Sequence, residues 1–433
     1  MDLIAGHQFP NVCSQYNNIM KTLRWLLLLL CLALSSFGQT TNQPAFDVEK
    51  ATRAYLDRIP PAKKAQSDAY FEGLYWLQLW GFLYGAAIAA LFLQGRLSAR
   101  MRDLAQRCTR FRRLQRALYA VQYFVLTAVL SLPLTLYSDY FREHQYGLSN
   151  QDLPAWFGEW AKGLILTVIG GALLLVALFG IARRVPRTWH IWGAAVTLGF
   201  MIVLLVIGPV FIAPLFNKYT VLADPKVVDP ILRLARANGI PADKVYEVDA
   251  SKQSKRVSAN VSGFLGTMRI TLNDNLLNRS TLPEIESVMG HEMGHYVMNH
   301  VFKDILFFGI VIVVGFAFLR WSIERLLAIF GARWGIRGID DVAVVPLALF
   351  IFSAYFFVLT PFLNSFTRMQ EQEADMFGLN AARQPDGFAE AALKLGEYRK
   401  MEPGRIEEWI FFDHPSGATR IRNAMRWKTE NLP

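Results

Sequence analysis

Six long stretches with almost no charge constrain the fold of this 433-residue chain more than any other feature. Each stretch is close to the ~20 apolar residues that a helix needs to cross a bilayer. Charged residues make up 18% of the chain, whereas soluble domains usually have roughly 25%. The sequence therefore predicts a mainly α-helical, polytopic membrane bundle and excludes disordered, collagen-like and coiled-coil chains. The six stretches are 75–94, 117–138, 163–182, 191–216, 301–319 and 342–363.

The amino-terminal region has the pattern of a secretory signal. Cations at Lys21 and Arg24 precede an apolar run at 25–34, and small residues precede a candidate cleavage site after Gly38. This run is too short to span a bilayer comfortably. We predict that translation starts at Met20 and that residues 1–38 are an upstream extension and a signal. The alternative is an anchor helix that stays as a seventh span.

Arginine-rich loops follow the first, third and fifth stretches. The first of these loops contains eight arginines and a single acidic residue, Asp103. Short loops rich in Lys and Arg remain in the cytoplasm, so we predict that the segments at 39–74, 217–300 and 364–433 face the extracytoplasmic side. A cleaved signal requires the same orientation. The net charge of +10 is then explained by anionic membrane lipids, and we predict no nucleic-acid partner.

The six stretches divide the chain into segments. We predict an extracytoplasmic segment at 39–74, four transmembrane helices within 75–216, a soluble insert at 217–300, two further transmembrane helices within 301–363 and a carboxy-terminal catalytic segment at 364–433. Hydrophobic periodicity in the insert indicates an amphipathic helix at 225–238, strands at 245–248 and 268–272, and a helix from 282 to 300. The insert is therefore expected to combine helices with a small β-sheet.

The last helix of the insert contains His291-Glu292-Met293-Gly294-His295. Two imidazoles four residues apart share a helix face and can bind one zinc ion, while Glu292 can take a proton from a zinc-activated water. This chemistry hydrolyses peptide bonds, so the insert with its small β-sheet is expected to be a zincin-like catalytic domain. A single surface histidine is the simpler alternative, but three of the seven histidines lie within ten residues here, counting His300. We predict one zinc per chain, bound by His291 and His295.

A catalytic zinc needs a third protein ligand, and candidates follow the sixth apolar stretch. Glu371 and Asp375 are four residues apart and face the same side of a predicted helix. Glu371 can bind the metal while Asp375 accepts a hydrogen bond from a ligand imidazole. Glu373 is expected to point elsewhere. The alternative is that all three carboxylates lie on a solvated helix end.

These motifs resemble the integral-membrane zinc CAAX prenyl proteases of type 1 and their bacterial relatives, over roughly residues 75–430. The segment from Thr367 to Asp375 is similar to the Ser-Arg-x-x-Glu-x-x-Ala-Asp motif of this family, with Thr in place of Ser. His414-Pro415 with Arg420 is similar to its His-Pro-Pro segment, with Ser416 in place of the second Pro. Residues 143–147 and 258–260 resemble its Glu-Lys-His-Gly loop and its edge strand.

The resemblance implies roles that spacing alone does not. By this analogy His414 stabilises the oxyanion of the tetrahedral intermediate, Arg420 supports that region, and Asn260 with the following strand pairs with extended substrate backbone. The simpler alternatives are a surface histidine, a helix-start cation and a turn residue. The family has seven spans, whereas this chain keeps six if the signal is cut. Eukaryotic members turn their catalytic face to the cytosol, opposite to the orientation predicted here.

We therefore expect a membrane-embedded zinc endopeptidase that acts on a peptide or protein, with or without an attached lipid. We predict that it lies in a bacterial inner membrane with its catalytic face extracytoplasmic. The resemblance implies processing of CAAX-box proteins. An alternative is quality control of membrane proteins without a prenyl requirement. A transporter or channel with structural zinc is disfavoured because the predicted spans have no ionisable residue at depth. The sequence makes no prediction of the oligomeric state.

Overall fold

The computed structural model describes residues 46–263 and 268–432. Six helices within these residues are long and apolar enough to cross a membrane. They contain the six apolar stretches, except for Phe216 at the end of the fourth, which confirms the predicted polytopic helical bundle. The predicted start at Met20, the signal-like run at 25–34 and the candidate seventh span lie outside the described residues.

The first half of the described chain is helical. Prolines interrupt two of the membrane helices, because a proline removes a backbone hydrogen bond and the ladder adjusts locally. Pro133 precedes a π-helical turn at Tyr137–Phe141, which leads into Arg142–Gln145, and Pro209 lies within a second such turn at Gly208–Ile212. The helices are α1 (Val48–Leu56), α2 (Pro61–Gln94), α3 (Leu97–Cys108), α4 (Arg112–Leu136), α5 (Leu153–Arg184) and α6 (Trp189–Ile207).

A four-stranded mixed sheet follows the fourth membrane helix. Its strands are β1 (Tyr219–Val221), β2 (Val245–Val248), β3 (Ala259–Ser262) and β4 (Arg269–Asn273), in the spatial order β1-β2-β4-β3. β4 pairs parallel with β2 and antiparallel with β3. The small β-sheet expected in the insert is confirmed, and β3 lies at its edge. β4 is buried from Ile270 to Asn273. Its polar and apolar residues alternate in the sequence, but both faces of the strand are covered by other parts of the chain.

The second half of the chain contains the helices that carry the candidate site. α9 begins with a capping box between Thr281 and Glu284, with Pro283 in its first turn. Only a short turn separates α9 from α10, so the His-Glu-x-x-His helix leads directly into a membrane helix. The helices are α7 (Pro225–Ala237), α8 (Asp274–Arg279), α9 (Leu282–Val297), α10 (His300–Trp334), α11 (Val345–Ala382), α12 (Pro385–Leu395), α13 (Arg405–Phe411) and α14 (Gly417–Asn431).

Three clusters of buried hydrophobic side chains hold these elements together. One lies within the membrane bundle, one lies between the sheet and helices α7 and α9, and one joins α1, the end of α11, α12 and α14. Met289 and Met293 of α9 are fully buried in the sheet cluster. α9 also contacts α11, α12 and β3. The His-Glu-x-x-His helix is thus enclosed by packed elements on several sides, which fixes the direction of its side chains.

Candidate active site

Small residues bring α9 and α11 into backbone contact. A Cβ atom added at Gly378 would lie 2.7 Å from the backbone nitrogen of His291, and one added at Gly294 would lie 3.0 Å from the Cα of Ala374. Gly290 meets the carbonyl oxygen of Gly378 in the same way, at 3.0 Å. Larger residues would push the two helices apart and separate the histidines from Glu371. Small residues four apart on both helices were visible in the sequence, and this spacing is typical of close helix contacts.

His291, His295 and Glu371 converge where the two helices touch. The Nε2 atoms of His291 and His295 are 3.2 Å apart, and the Glu371 carboxylate oxygens lie 3.2 Å from the first and 3.4 Å from the second. Ligand atoms in a tetrahedral zinc site, at ~2.0–2.1 Å from the ion, are roughly 3.3 Å apart. The two imidazole nitrogens and the Glu371 carboxylate therefore lie close enough together to hold one zinc ion.

The electrostatics of this cluster also favour a cation. Burial alone lowers the pKa of His291, but the Asp375 and Glu371 carboxylates outweigh it and raise the pKa to about 10. Burial and the neighbouring His291 lower the pKa of His295 to about 4. Glu371 Oε2 is buried and lies 3.2 Å from the Nε2 atoms of both His291 and His414, but neither contact has the geometry of a good hydrogen bond. Without a metal, the carboxylates favour a protonated, positively charged His291. Ligand imidazoles must not carry this extra proton, so a bound metal ion would replace it as the positive charge next to the carboxylates.

Asp375 and Arg420 support His291 from behind. His291 Nδ1 lies 2.8 Å from Asp375 Oδ1, and the Arg420 guanidinium donates to both carboxylate oxygens of Asp375, at 2.5 and 2.9 Å. A carboxylate only accepts hydrogen bonds, so Nδ1 carries the hydrogen and Nε2 is free to bind metal. Arg420, expected from the resemblance to support the oxyanion region, contacts His291 through Asp375 and also lines the adjacent cavity.

His300 and Glu373 support His295, and the sequence did not assign them a role. His295 Nδ1 lies 2.8 Å from His300 Nδ1, and His300 Nε2 lies 3.1 Å from the Glu373 carboxylate, which also accepts from Lys303 at 2.6 Å. If His295 Nε2 binds metal, Nδ1 must donate to His300 and His300 Nε2 must donate to Glu373. The sequence shows that three histidines lie close together along the chain. Which of them contact each other depends on the turn between α9 and α10, and this turn is known only from the structure.

Glu292 faces a cavity of about 180 Å³ beside the three candidate ligands. Burial raises the pKa of its carboxyl to about 7. His291, His414 and Arg420 also line this cavity, together with apolar side chains that include Val288 and Phe388. The arrangement combines a base that can exchange protons near neutral pH with an apolar wall.

His414 lies on the other side of Glu371. Its Nε2 is 3.2 Å from a Glu371 oxygen, and its Nδ1 is 2.7 Å from the Asp413 carboxylate. Burial raises the pKa of Asp413, but the hydrogen bond with His414 lowers it by a larger amount. The pKa of the Asp413 carboxyl is therefore below its ordinary value. An ionised Asp413 keeps the hydrogen on Nδ1, so His414 Nε2 donates to an anion when the ring is protonated.

Asn260 lies on the edge strand β3, opposite Thr271 of β4. Its side chain is exposed, whereas Ser258 and Ala259 line the cavity. The Ser258 carbonyl accepts from the Asn273 backbone, and hydrogen bonding alternates along an antiparallel pair. Residues 258 and 260 therefore turn their backbone groups toward β4. Ala259 and Val261 turn theirs toward the free edge.

Comparisons with known proteins agree with this geometry. Residues 222–428 match the peptidase family M48, and residues 47–218 match the CAAX prenyl protease N-terminal region of five membrane helices. Metalloprotease YhfN of Bacillus subtilis is 28% identical over 87% of this chain and 88% of its own length. The CAAX prenyl protease 1 homolog of Dictyostelium discoideum is 30% identical over 59% of this chain and 60% of its own.

A solved structure shares the fold. The crystal structure of Ste24p from S. mikatae superposes with a TM-score of 0.73 at 21% identity, and the match covers 87% of this chain and 94% of that one. The two family matches together extend from the first helix to α14. The chain therefore belongs to the M48 peptidases with a CAAX prenyl protease membrane region, and it is a multi-pass, membrane-embedded zinc metalloprotease.

Proposed function

We propose that the chain binds one zinc ion through His291, His295 and Glu371 and uses it to cleave peptide bonds. The observation that carries this proposal is the spacing of the donor atoms: the two Nε2 atoms are 3.2 Å apart, Glu371 Oε2 lies 3.2 Å from His291 Nε2, and Glu371 Oε1 lies 3.4 Å from His295 Nε2. These distances are close to those between ligand atoms of tetrahedral zinc. The buried Glu371 Oε2, which has no hydrogen bond of good geometry, supports it. The three protein ligands leave the fourth position open for water or substrate, as catalytic zinc sites require.

Side chains of the protein perform the proton transfers and stabilise the charges of the reaction. Bound zinc activates a water and polarises the substrate carbonyl. Glu292 accepts a proton and returns it to the leaving amine, a task that its burial beside the cavity favours because burial raises the pKa of its carboxyl. His414 donates to the negative charge that develops on the carbonyl oxygen. Asp375, held by Arg420, keeps His291 in the tautomer that binds metal.

The edge strand β3 offers the substrate a place to bind as an additional strand. β3 lies against α9, beside the cavity that contains Glu292. The outward backbone groups of Ala259 and Val261 can pair with an extended peptide, which would place its scissile bond in a fixed register. Asn260 would contribute its exposed side chain. The apolar wall of the cavity would accept a hydrophobic side chain of the peptide.

Replacement of Glu292 by Gln tests the proposed reaction. The amide keeps the size of the side chain but accepts no proton, so peptide cleavage should fall by about 10²–10⁴-fold. Zinc content, measured by elemental analysis of the purified protein, should stay unchanged. Glu286→Gln is the matched control, because Glu286 lies on the same helix and bonds to Gln384 instead of facing the cavity. Undiminished cleavage by Glu292→Gln would reject the role of Glu292.

We further propose that the substrates include proteins with a CAAX box, as the names of several relatives suggest. The alternative is cleavage of misfolded membrane proteins without a lipid requirement, and the arginine-rich loops favour it because they predict an extracytoplasmic catalytic face. A farnesylated peptide and its unmodified twin distinguish these functions. Faster cleavage of the farnesylated peptide supports CAAX processing, and equal rates support quality control.

The proposed orientation can be tested on the same chain. The candidate metal centre lies where α10 begins and α11 nears its end, whereas the arginine-rich loops lie at the opposite ends of the membrane helices. In sealed cells, a membrane-impermeant maleimide should label Asn260→Cys but not the exposed Cys108 of the arginine-rich face. The other two cysteines are replaced by Ser for this experiment. Labelling of Cys108 alone would show that the orientation is the opposite of the one proposed.

A further inference from the structure

A second polar cavity lies at the membrane face opposite the candidate metal centre. It has a volume of about 360 Å³ and lies where α4 begins, α5 ends and the loop from α10 to α11 turns. At 1.5 Å per residue, the stretch of α11 between Val345 and Glu371 is roughly 40 Å long. The two sites are therefore separated by about the thickness of a membrane. The charged residues that line the cavity are Arg102, Arg112, Arg116, Arg183, Arg337, Asp340 and Asp341.

The positive charge of this cavity is only partly neutralised. Arg102 is buried and pairs with Asp341 and Asp103, and Arg337 also pairs with Asp103. These pairs stabilise the loop that precedes α11. Among the residues that the structure describes, Arg112, Arg116 and Arg183 have no carboxylate at ion-pair distance, and Asp340 acts on Arg116 only from a longer distance. The cavity thus presents three guanidinium groups without a direct ion pair, against the single further carboxylate of Asp340.

The backbone adds to the attraction for an anion. α4 begins at Arg112 and its N-cap residue, Phe111, makes no side-chain capping bond. The first backbone N–H groups of a helix lack partners within the helix and carry the positive end of its dipole. Helix starts of this kind bind phosphate groups. Arg116 is one turn further along the same helix and lies beside Gly180 of α5.

An apolar crevice of about 100 Å³ adjoins the basic cavity. Its lining includes Ala182 and Ile339, the chain neighbours of Arg183 and Asp340 in the basic cavity. From there the crevice follows α5 through Phe179 to Leu175 and follows α11 through Ala348 to Phe352, two turns into the bilayer. A free inorganic anion would not enter this crevice, because its lining is apolar. An acyl chain that descends from a bound headgroup would enter it.

We propose that this face binds an anionic phospholipid, with its phosphate between Arg116, Arg183 and the start of α4 and one acyl chain in the crevice between α5 and α11. Arginine binds phosphate oxygens in a bidentate manner, and basic pockets between membrane helices favour anionic headgroups. The lipid would join the ends of α4, α5 and α11 at the face that does not carry the protease chemistry.

Lipid binding to the detergent-purified full-length protein tests this site. In native mass spectrometry, phosphatidylglycerol should bind at roughly tenfold lower concentration than phosphatidylcholine. Arg116→Gln combined with Arg183→Gln should remove this preference. The matched control combines Arg110→Gln with Arg187→Gln, two exposed arginines of the same face that do not line the cavity. The control should keep the preference, and both variants should still cleave peptide because their folds and the distant protease site are intact.

Experiments on the unaltered protein decide the matter even if the cavity variant does not fold. Phosphatidylglycerol should raise the melting temperature above its value in phosphatidylcholine. Glycerol phosphate and inorganic phosphate lack acyl chains and should compete with the lipid only weakly. Equal binding of the two lipids, an equal loss in the control variant, or full displacement by inorganic phosphate at matched concentration would each overturn the proposal.

Discussion

Asp375 and Glu373 lie two residues apart on α11, and each supports one imidazole of the candidate metal centre in a different environment. The Asp375 side chain is 1% exposed and contacts His291 and the buried Arg420. The Glu373 side chain is 38% exposed and contacts His300 and Lys303. The first support is a buried ion pair, whereas the second is a hydrogen-bond relay that reaches solvent.

This difference predicts different consequences of substitution. A buried ion pair that loses one partner leaves an uncompensated charge in a low-dielectric environment. An exposed pair contributes little, because water can replace either partner. The His291 side of the site should therefore be rigid and sensitive to substitution, and the outer part of the His295 side should be tolerant.

Asp375→Asn should have the largest effect. The amide keeps an acceptor for His291 but leaves Arg420 without a counter-charge, so we expect zinc affinity to fall about 10–100-fold and stability to fall by about 3–5 kcal/mol. Competition with a zinc chelator and thermal unfolding of the purified protein measure the two changes. Unchanged zinc affinity in a folded variant would contradict the support that the geometry assigns to Asp375.

His300→Ala tests the inner part of the other support. It removes the acceptor for His295 Nδ1, and a water can enter in its place, so we expect a loss of zinc affinity of about tenfold, at the lower end of such effects. His300→Asn offers a shorter acceptor and should restore part of the affinity. A loss as large as that of Asp375→Asn would show that burial does not distinguish the two supports.

Lys394→Met tests a third ion pair, in which Lys394 contacts the buried Glu284 at the start of α9. Burial raises the pKa of Glu284, but hydrogen bonds from Lys394 and Thr281 hold it below its ordinary value. A pKa lowered on folding contributes stability above the unfolded value of 4.5 and loses it as the pH falls through the folded value. The variant should lose about 1–3 kcal/mol at pH 7, and less at pH 3.

Melting temperatures at the two pH values measure this effect. Arg422→Met is a control, because it breaks an exposed pair with Glu49 and should change stability by at most about 1 kcal/mol. A pH-independent difference between the Lys394 variant and the unaltered protein would mean that packing, rather than the charge of Glu284, causes the loss.

Glu373→Gln should have the smallest effect. The amide oxygen can still accept from His300 Nε2, and only an exposed pair with Lys303 is lost, which contributes about 0–1 kcal/mol. Zinc affinity should change by less than about threefold. A change of tenfold or more, measured in the same chelator competition, would show that the charge of Glu373 reaches His295 through His300.

Local patterns predicted much of this molecule because each depends on neighbouring residues. Apolar length predicted the six membrane helices, and the spacing of His291 and His295 placed both on one helix face. The prediction that Glu373 points away from Glu371 also follows from helix geometry. Periodicity indicated β2 and β4 but not β1 and β3, because these two short strands include Thr, Asn and Ser and show too little apolar alternation to be recognised.

Interactions between distant segments required the tertiary structure. The sequence determined that a helix with two imidazoles and a later helix with carboxylates exist, since helical periodicity is a local property of the backbone. Only the structure decided that Gly290, Gly294 and Gly378 let these helices touch, and that Arg420 reaches Asp375. Such contacts depend on the packing of residues many positions apart, and no local pattern encodes the distance at which two helices meet.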